Sequence, residues 1–293
     1  MKTQLTNFSI CILLVILYSC TISLLIFSCN KISHDKSLFY EEAGEGEAIL
    51  LIHGSQEDYR AFLPQLELLK EDFRVITYSR KYNYPNNNQY KEGTPFNPMT
   101  EAEDVETLRN KIGLKKFHVV GHSYGGLIAM AYAIKYQNNL KSLIVSEPPV
   151  LNIAGCEESL KATEEGLLKK LNAAFASKDS TLVMKSIFEF FVGQDIQDQI
   201  PTEALNALKV NLTEMKALAS SKNPFPKLDT SFEIPTMILT SEHTMPILNC
   251  TNEALVNNMP NAKHVHISEA SHDMWMTHSK IIADHLKNFI SKK

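Results

Sequence analysis

Basic clusters are missing from this chain. Its 29 Lys and Arg face 33 Asp and Glu for a formal net charge of −4, with no basic run, which removes nucleic acid from the partners its chemistry favours. Cysteine is scarce: there are five in 293 residues, and Cys11, Cys20 and Cys29 fall at the N-terminus. That leaves Cys156 and Cys250, too few for a disulfide framework. In an oxidising compartment these two either pair or stand apart as small apolar side chains. None of the ten histidines sits with Cys, Asp or Glu at a metal-ligand spacing. Gly44-Glu45-Gly46 is a turn and not a dinucleotide loop, since no helix opening on a third glycine follows. These residues require neither a metal nor a cofactor, and no internal repeat or low-complexity stretch is present.

The first 28 residues hold a single charge, Lys2, and from 8 to 28 they are apolar apart from Ser, Thr, Tyr and Cys. Such a segment is a targeting or anchoring signal and is set aside from the fold. Its apolar length approaches the roughly 20 residues a spanning helix needs, so an uncleaved signal anchor is one reading. Leu25-Ile26-Phe27-Ser28-Cys29-Asn30 supplies another, because it resembles the lipobox of bacterial lipoproteins, which places lipidation on Cys29. Phe27 is bulkier than that pattern prefers, and Leu17-Tyr18-Ser19-Cys20 is a weaker competitor. Lipoprotein ranks first, signal anchor second and free secretion third. Each carries the globular part out of the cytoplasm, with membrane contact through the N-terminal segment only.

Past Cys29, 264 residues remain, room for one large domain or one domain with an inserted cap. Between 38 and 147 short apolar runs alternate with longer amphipathic stretches. Ala48-Ile49-Leu50-Leu51-Ile52, closed by His53-Gly54, reads as a strand buried on both faces. A helix over 59–70 follows, with Phe62, Leu66 and Leu69 on one stripe and Asp58 as its N-cap. Strands at 74–78, 117–120 and 140–145 alternate with helices at 100–112 and 125–137, the first opened by a capping box at Thr100-Glu101-Ala102-Glu103. Alternation of this kind makes a parallel α/β sheet. After Pro148-Pro149 the rhythm changes: 157–222 is helical in pattern throughout. Strands resume at 235–240 and 263–267, with helices at 249–258 and 277–291. The expected organisation is a signal or anchor segment 1–28, a core made of 38–150 and 231–293, and an all-helical cap over 151–230.

Reactive chemistry concentrates at Gly121-His122-Ser123-Tyr124-Gly125-Gly126. This G-x-S-x-G stretch stands where the apolar run Phe117-His118-Val119-Val120 gives way to a helix-like segment, a setting that holds a serine on a tight, strained turn. With the strand ending in His53-Gly54 and with Ala270-Ser271-His272 after the last strand, in that order, it makes the chain resemble the α/β-hydrolases from residue 38 onward. Tyr78-Ser79-Arg80-Lys81 also resembles the Tyr-x-Arg-Arg loop of many members. The resemblance implies a mostly parallel eight-stranded sheet flanked by helices, an inserted helical cap, and a serine, histidine and acid acting together.

By that resemblance Ser123 is the nucleophile, His272 its base, and the N–H groups of Ser55 and Tyr124 form the oxyanion hole. The acid departs from the usual pattern. Most members carry an Asp in the loop after the strand that is here 236–240, and Ser241-Glu242-His243-Thr244-Met245-Pro246 has none. Glu147, at the end of an earlier strand and stiffened by Pro148-Pro149, is preferred, with Glu242 as the alternative acid. His53 and His122 read as parts of their turns, and His118, His264 and His266 carry no assigned chemistry. Phe175, Met184, Phe188, Phe190, Phe191 and Met215 either line an apolar acyl pocket or pack the cap on the sheet. Ser123 argues against epoxide and haloalkane hydrolysis, which need an Asp at this turn. The expected activity is hydrolysis of an ester or related small-molecule acyl substrate through an acyl-enzyme. The missing Asp keeps open a ligand-binding protein with little turnover, and an acyltransferase is the other alternative.

Overall fold

The computed structural model describes residues 38–86 and 88–291, so the N-terminal segment and Cys29 lie outside the described residues. β1 (Tyr40–Ala43) leads into β2 (Ala48–Ile52), a 3₁₀ turn (Tyr59–Phe62), α1 (Leu63–Leu69) and β3 (Arg74–Tyr78). Then come α2 (Pro98–Lys111), β4 (Phe117–His122), α3 (Tyr124–Tyr136) and β5 (Leu140–Ser146). The next stretch is helical: α4 (Glu157–Thr163) continues through a π-type turn (Glu164–Leu168) into α5 (Lys169–Ser177), followed by α6 (Ser180–Phe191), α7 (Thr202–Lys209) and α8 (Leu212–Ser220). The last elements are β6 (Thr236–His243), α9 (Pro246–Asn258), β7 (Lys263–Ser271), the short α10 (Met274–Thr277) and α11 (Ser279–Ile290).

The strands lie in the order β1-β3-β2-β4-β5-β6-β7. β1 runs antiparallel to β3, and the other pairings are parallel. The sheet therefore has seven strands among the described residues, where the resemblance implied eight. Every residue of β2 and β4 is buried, as strands covered on both faces must be. Leu50, Ile52, Val119 and Leu143 pack on one face with α2, α3 and the helical insertion. Ile49, Leu51, Val120 and Ile144 pack on the other with Leu66 and Leu69 of α1 and Ile282 and Leu286 of α11. Each such side chain withdrawn from water contributes roughly 1.5–3 kcal/mol.

One expected helix start is corrected. α2 begins at Pro98, and its N-cap is Asn97 instead of Thr100. The Asn97 side chain accepts the Thr100 N–H at 3.1 Å, and the Thr100 hydroxyl accepts the Asn97 N–H at 3.1 Å. Thr100 is thus the inner partner of a capping box that opens one turn earlier, with Pro98 supplying the preset φ of a first helical turn. Asp58 does cap the 3₁₀ turn, accepting the Arg60 N–H at 3.1 Å. Cys156, just before α4, forms a disulfide with Cys250 of α9, which fastens the start of the helical insertion to the core. Of the six apolar insertion residues, Met184, Phe188 and Met215 are buried, while Phe175, Phe190 and Phe191 are half-buried against the same cluster. Among the described residues no helix is long and apolar enough to cross a membrane.

Candidate active site

β4 ends at His122 and α3 begins at Tyr124, so one residue turns the chain. Ser123 does so at φ 52° and ψ −126°, a conformation that costs a non-glycine residue on the order of 1–3 kcal/mol. Its N–H donates to Ser146 O at the end of β5 at 2.8 Å, and its carbonyl accepts the Gly126 N–H at 2.8 Å. Glycines permit the close approach that the turn needs. A Cβ on Gly125 would sit 2.2 Å from Ile52 O, and one on Gly121 would sit 2.2 Å from Gly125 O. The first turn of α3 is therefore pressed onto the end of β2. Gly54 comes against the serine as a result, and a Cβ there would lie 3.1 Å from Ser123 Cβ.

β7 ends at Ser271, which puts His272 at the same edge of the sheet. His272 Nδ1 lies 2.7 Å from Glu147 Oε2. An ionised carboxylate only accepts, so the ring proton sits on Nδ1 and Nε2 is the basic nitrogen. The His272 ring packs 4.5 Å from that of His122, the residue before Ser123. His122 is buried, and burial, reinforced by His272, pushes its pKa well down, which keeps it neutral.

Glu147 has no exposed surface and follows β5 at φ 46°. Its Oε1 accepts the Ser241 N–H at 2.9 Å, the Ser241 hydroxyl at 2.7 Å and the Asn252 amide at 3.2 Å. Burial works against its charge, but the hydrogen bonds from His272 and Ser241 outweigh that and hold the carboxyl at about 2. Glu242 is placed differently: it is exposed, and its Oε2 accepts the Glu269 N–H at 2.8 Å. Among the described residues it makes no hydrogen bond to His272.

The turn after β2 faces the serine. His53 is fully buried, and burial together with Arg80 pushes it down to about 3, so it remains neutral. Its Nδ1–H donates to Gly54 O at 2.9 Å, while Nε2 accepts the Arg80 N–H at 3.0 Å. The Gly54 N–H donates to Glu57 Oε2 at 2.7 Å, and the Gln56 N–H to Glu214 Oε2 at 3.1 Å. Between them the Ser55 N–H has no acceptor among the described residues. The same holds for the N–H of Tyr124, at the first position of α3, where a helix leaves its donors unpaired. The Ser55 hydroxyl is engaged elsewhere, donating to Glu214 Oε1 at 3.3 Å.

The structure thus brings Ser123, His272, Glu147, Ser55 and Tyr124 to one edge of the sheet. Glu242, next to last in β6, lies at that edge too, but its carboxylate binds the Glu269 N–H and not His272. Sequence reasoning missed Glu57, Ser241, Asn252 and Glu214. Ser241 and Asn252 give no signal, polar residues being ordinary at strand ends and on helices. Glu214 does give one, since it lies on the stripe of α8 with Met215, Ala217 and Leu218, where an unpartnered carboxylate is out of place. Among the described residues no group of three or more His, Cys, Asp or Glu side chains is placed to hold a metal ion.

A mostly parallel sheet with a strained serine at a strand-to-helix elbow, beside a histidine held by a buried carboxylate, defines the class. The model of the alpha/beta hydrolase fold matches residues 47–279, and the chain belongs to that family. The proline iminopeptidase of Flavobacterium johnsoniae is 30% identical over 145 residues, which are 48% of this chain and 47% of that protein. The chain spans about half the length of the first curated relatives it matches. A putative non-heme chloroperoxidase of Synechocystis sp. is 26% identical over 273 residues, 86% of this chain and 94% of that one. The solved bromoperoxidase from Bacillus anthracis shares the fold with a TM-score of 0.70 at 22% identity, over 87% of this chain and 95% of its own.

Proposed function

We propose that the protein is a serine hydrolase that cleaves an ester or a related acyl compound through an acyl-enzyme. The observation that carries this reading is the 2.7 Å contact of His272 Nδ1 with the buried Glu147, next to a serine held at φ 52°. Ser123 Oγ attacks the substrate carbonyl while His272 Nε2 takes its proton. Glu147 keeps the imidazole in the required tautomer and stabilises the imidazolium. The N–H groups of Ser55 and Tyr124 bind the oxyanion. His272 returns the proton to the departing alkoxide, the ester C–O bond breaks, and the acyl group stays on Ser123. A water, deprotonated by the same nitrogen, then attacks the acyl carbon, and the acid leaves as Ser123 regains its proton. The binding-protein alternative drew on the absent Asp after β6, and a carboxylate supplied from β5 weakens that motive.

The test is labelling by a fluorophosphonate probe, together with turnover of short-chain aryl esters. Labelling at Ser123, lost in Ser123→Ala, is expected. Folded protein that neither labels nor turns over any ester, thioester, lactone or amide would sink the reading. The panel includes an N-terminal prolyl anilide, because one relative is named for that class of cleavage. In this reading the helices of 151–230 form a cap over the site, with Met184 Sδ 3.5 Å from Gln56 Nε2 beside the oxyanion turn.

From the apolar N-terminal segment we further propose that the domain lies outside the cytoplasm, held by a lipid on Cys29 or by an uncleaved signal anchor. The Cys156–Cys250 disulfide supports an oxidising compartment. Mass spectrometry of the mature N-terminus decides, and an intact Met1 rules out lipidation.

A further inference from the structure

Glu214 is a carboxylate without exposed surface, and its polar contacts reach from the helical insertion to the core segments that follow β2 and β3. Its Oε2 accepts the Gln56 N–H at 3.1 Å. Its Oε1 accepts the Ser55 hydroxyl at 3.3 Å and stands 2.9 Å from Arg80 Nη2. Gln56 sits at φ 61°, a region that a residue with a side chain holds only when its surroundings enforce it. The enforcing contacts come from the insertion: Glu214 holds the Gln56 N–H, and Asn211, just before α8, donates its amide to the Gln56 carbonyl at 3.2 Å.

Arg80 carries the connection to the second oxyanion donor. It donates to Gly54 O at 3.2 Å, and its guanidinium lies 5.3 Å from the centre of the Tyr124 ring. The Tyr124 hydroxyl donates to Pro224 O at 3.1 Å, in the segment after α8. Both N–H groups assigned to the oxyanion therefore belong to residues tied to the insertion. Without Glu214 the 55–56 peptide loses the acceptor of its N–H and Gln56 is free to leave its positive φ. The adjoining 54–55 peptide, which carries the Ser55 N–H, then turns with it.

We infer that Glu214 is a positioning residue: by seating on Arg80 and on the Ser55–Gln56 peptide, it sets the turn that presents the Ser55 N–H, so the oxyanion site is complete only when the insertion is docked. This rests on the serine-hydrolase reading above.

The experiment compares wild type, Glu214→Ala, Glu214→Gln and, as a control elsewhere in the insertion, Glu189→Gln at a half-buried position on α6. Aryl-ester kinetics are read beside the affinity of an alkyl boronic acid, which becomes tetrahedral on Ser123. Glu214→Ala is expected to lower kcat about 10- to 100-fold. KM is expected to move less than about threefold, and the boronate Kd to rise by the factor that kcat loses. Glu189→Gln changes neither. Folded Glu214→Ala with wild-type kcat and boronate affinity overturns the proposal, as does a rise in KM alone. If the alanine variant does not fold, Glu214→Gln, which keeps the volume and one acceptor oxygen, is judged by the same criteria. Wild type that fails to label or turn over overturns the hydrolase reading and this role together. Active wild type with unaffected variants overturns this role alone.

Discussion

Ser241 donates both its N–H and its hydroxyl to Glu147 Oε1, at 2.9 and 2.7 Å. β6 is the strand after which an Asp was expected, and its end supplies donors in place of an acid. Parallel pairing sets Ser146, the last residue of β5, beside Leu239, and β6 runs on to His243, so a carboxylate leaving β5 meets Ser241 on that extension. The extra methylene of Glu covers the remaining distance to His272.

Replacing Glu147 by Gln is expected to lower kcat on an aryl ester about 100- to 10,000-fold, because the amide cannot hold the Nδ1–H tautomer and stabilise imidazolium. Glu242→Gln keeps an acceptor for the Glu269 N–H and leaves kcat at the wild-type level. A collapse confined to the Glu242 variant would reverse the assignment of the acid.

Stability should fall in acid through the same carboxyl. Glu147 is held at about 2 when folded against 4.5 in a free side chain. A depressed acid stabilises the fold above the unfolded pKa, and that contribution disappears as pH drops from about 4.5 to about 2. Its full size is on the order of 3 kcal/mol. Ser241→Ala removes one donor, so its acid-unfolding midpoint, followed by circular dichroism, should move to higher pH. An unmoved midpoint would deny Ser241 this role.

Glu101 predicts the opposite slope. Burial lifts its carboxyl to about 8 in spite of Arg80 alongside. The unfolded chain ionises above about 4.5 while the folded one keeps the proton to about 8, so this group costs stability progressively as pH climbs through that window. Glu101→Gln is neutral in both states. Its thermal midpoint minus that of wild type should therefore grow from pH 5 to pH 9, and parallel curves would contradict the raised value.

Gly125→Ala tests the elbow's geometry. The added carbon would meet backbone oxygens of Ile52 and His53 at 2.2 and 2.5 Å, and neither can swing aside as a side chain can. The expected cost is at or above the upper end of about 1–3 kcal/mol, a thermal midpoint lower by about 5–10 °C. Calorimetry showing no change would mean that β2 and α3 are less tightly opposed than described.

Much of this was legible because burial writes itself into residue type. β2 is apolar at every position since helices cover it twice, and the elbow announces itself through glycines that only close backbone contact requires. What stayed hidden depends on partners distant in the chain. Tyr40-Glu41-Glu42-Ala43 is too short and too acidic to read as a strand, and it pairs only because β3 offers an edge. Thr100 looked like a cap because its box spacing to Glu103 is ideal, yet Asn97 followed by Pro98 starts the helix a turn sooner. Glu214 shows locally as a carboxylate on an apolar stripe, but the Ser55 and Gln56 groups it holds lie more than 150 positions away, a separation over which local pattern does not name a partner.

The disulfide between Cys156 and Cys250 closes a loop 94 residues around. The half of the fold that bears Ser123 precedes that loop, and the strand that leads to His272 follows it. A peptidase that cut once between Cys156 and Cys250 would leave a nicked molecule whose two fragments run as one species in a denaturing gel until a reductant separates them. Ser123 and His272, the proposed nucleophile and base, thus remain on one covalent body even after the main chain between them is broken.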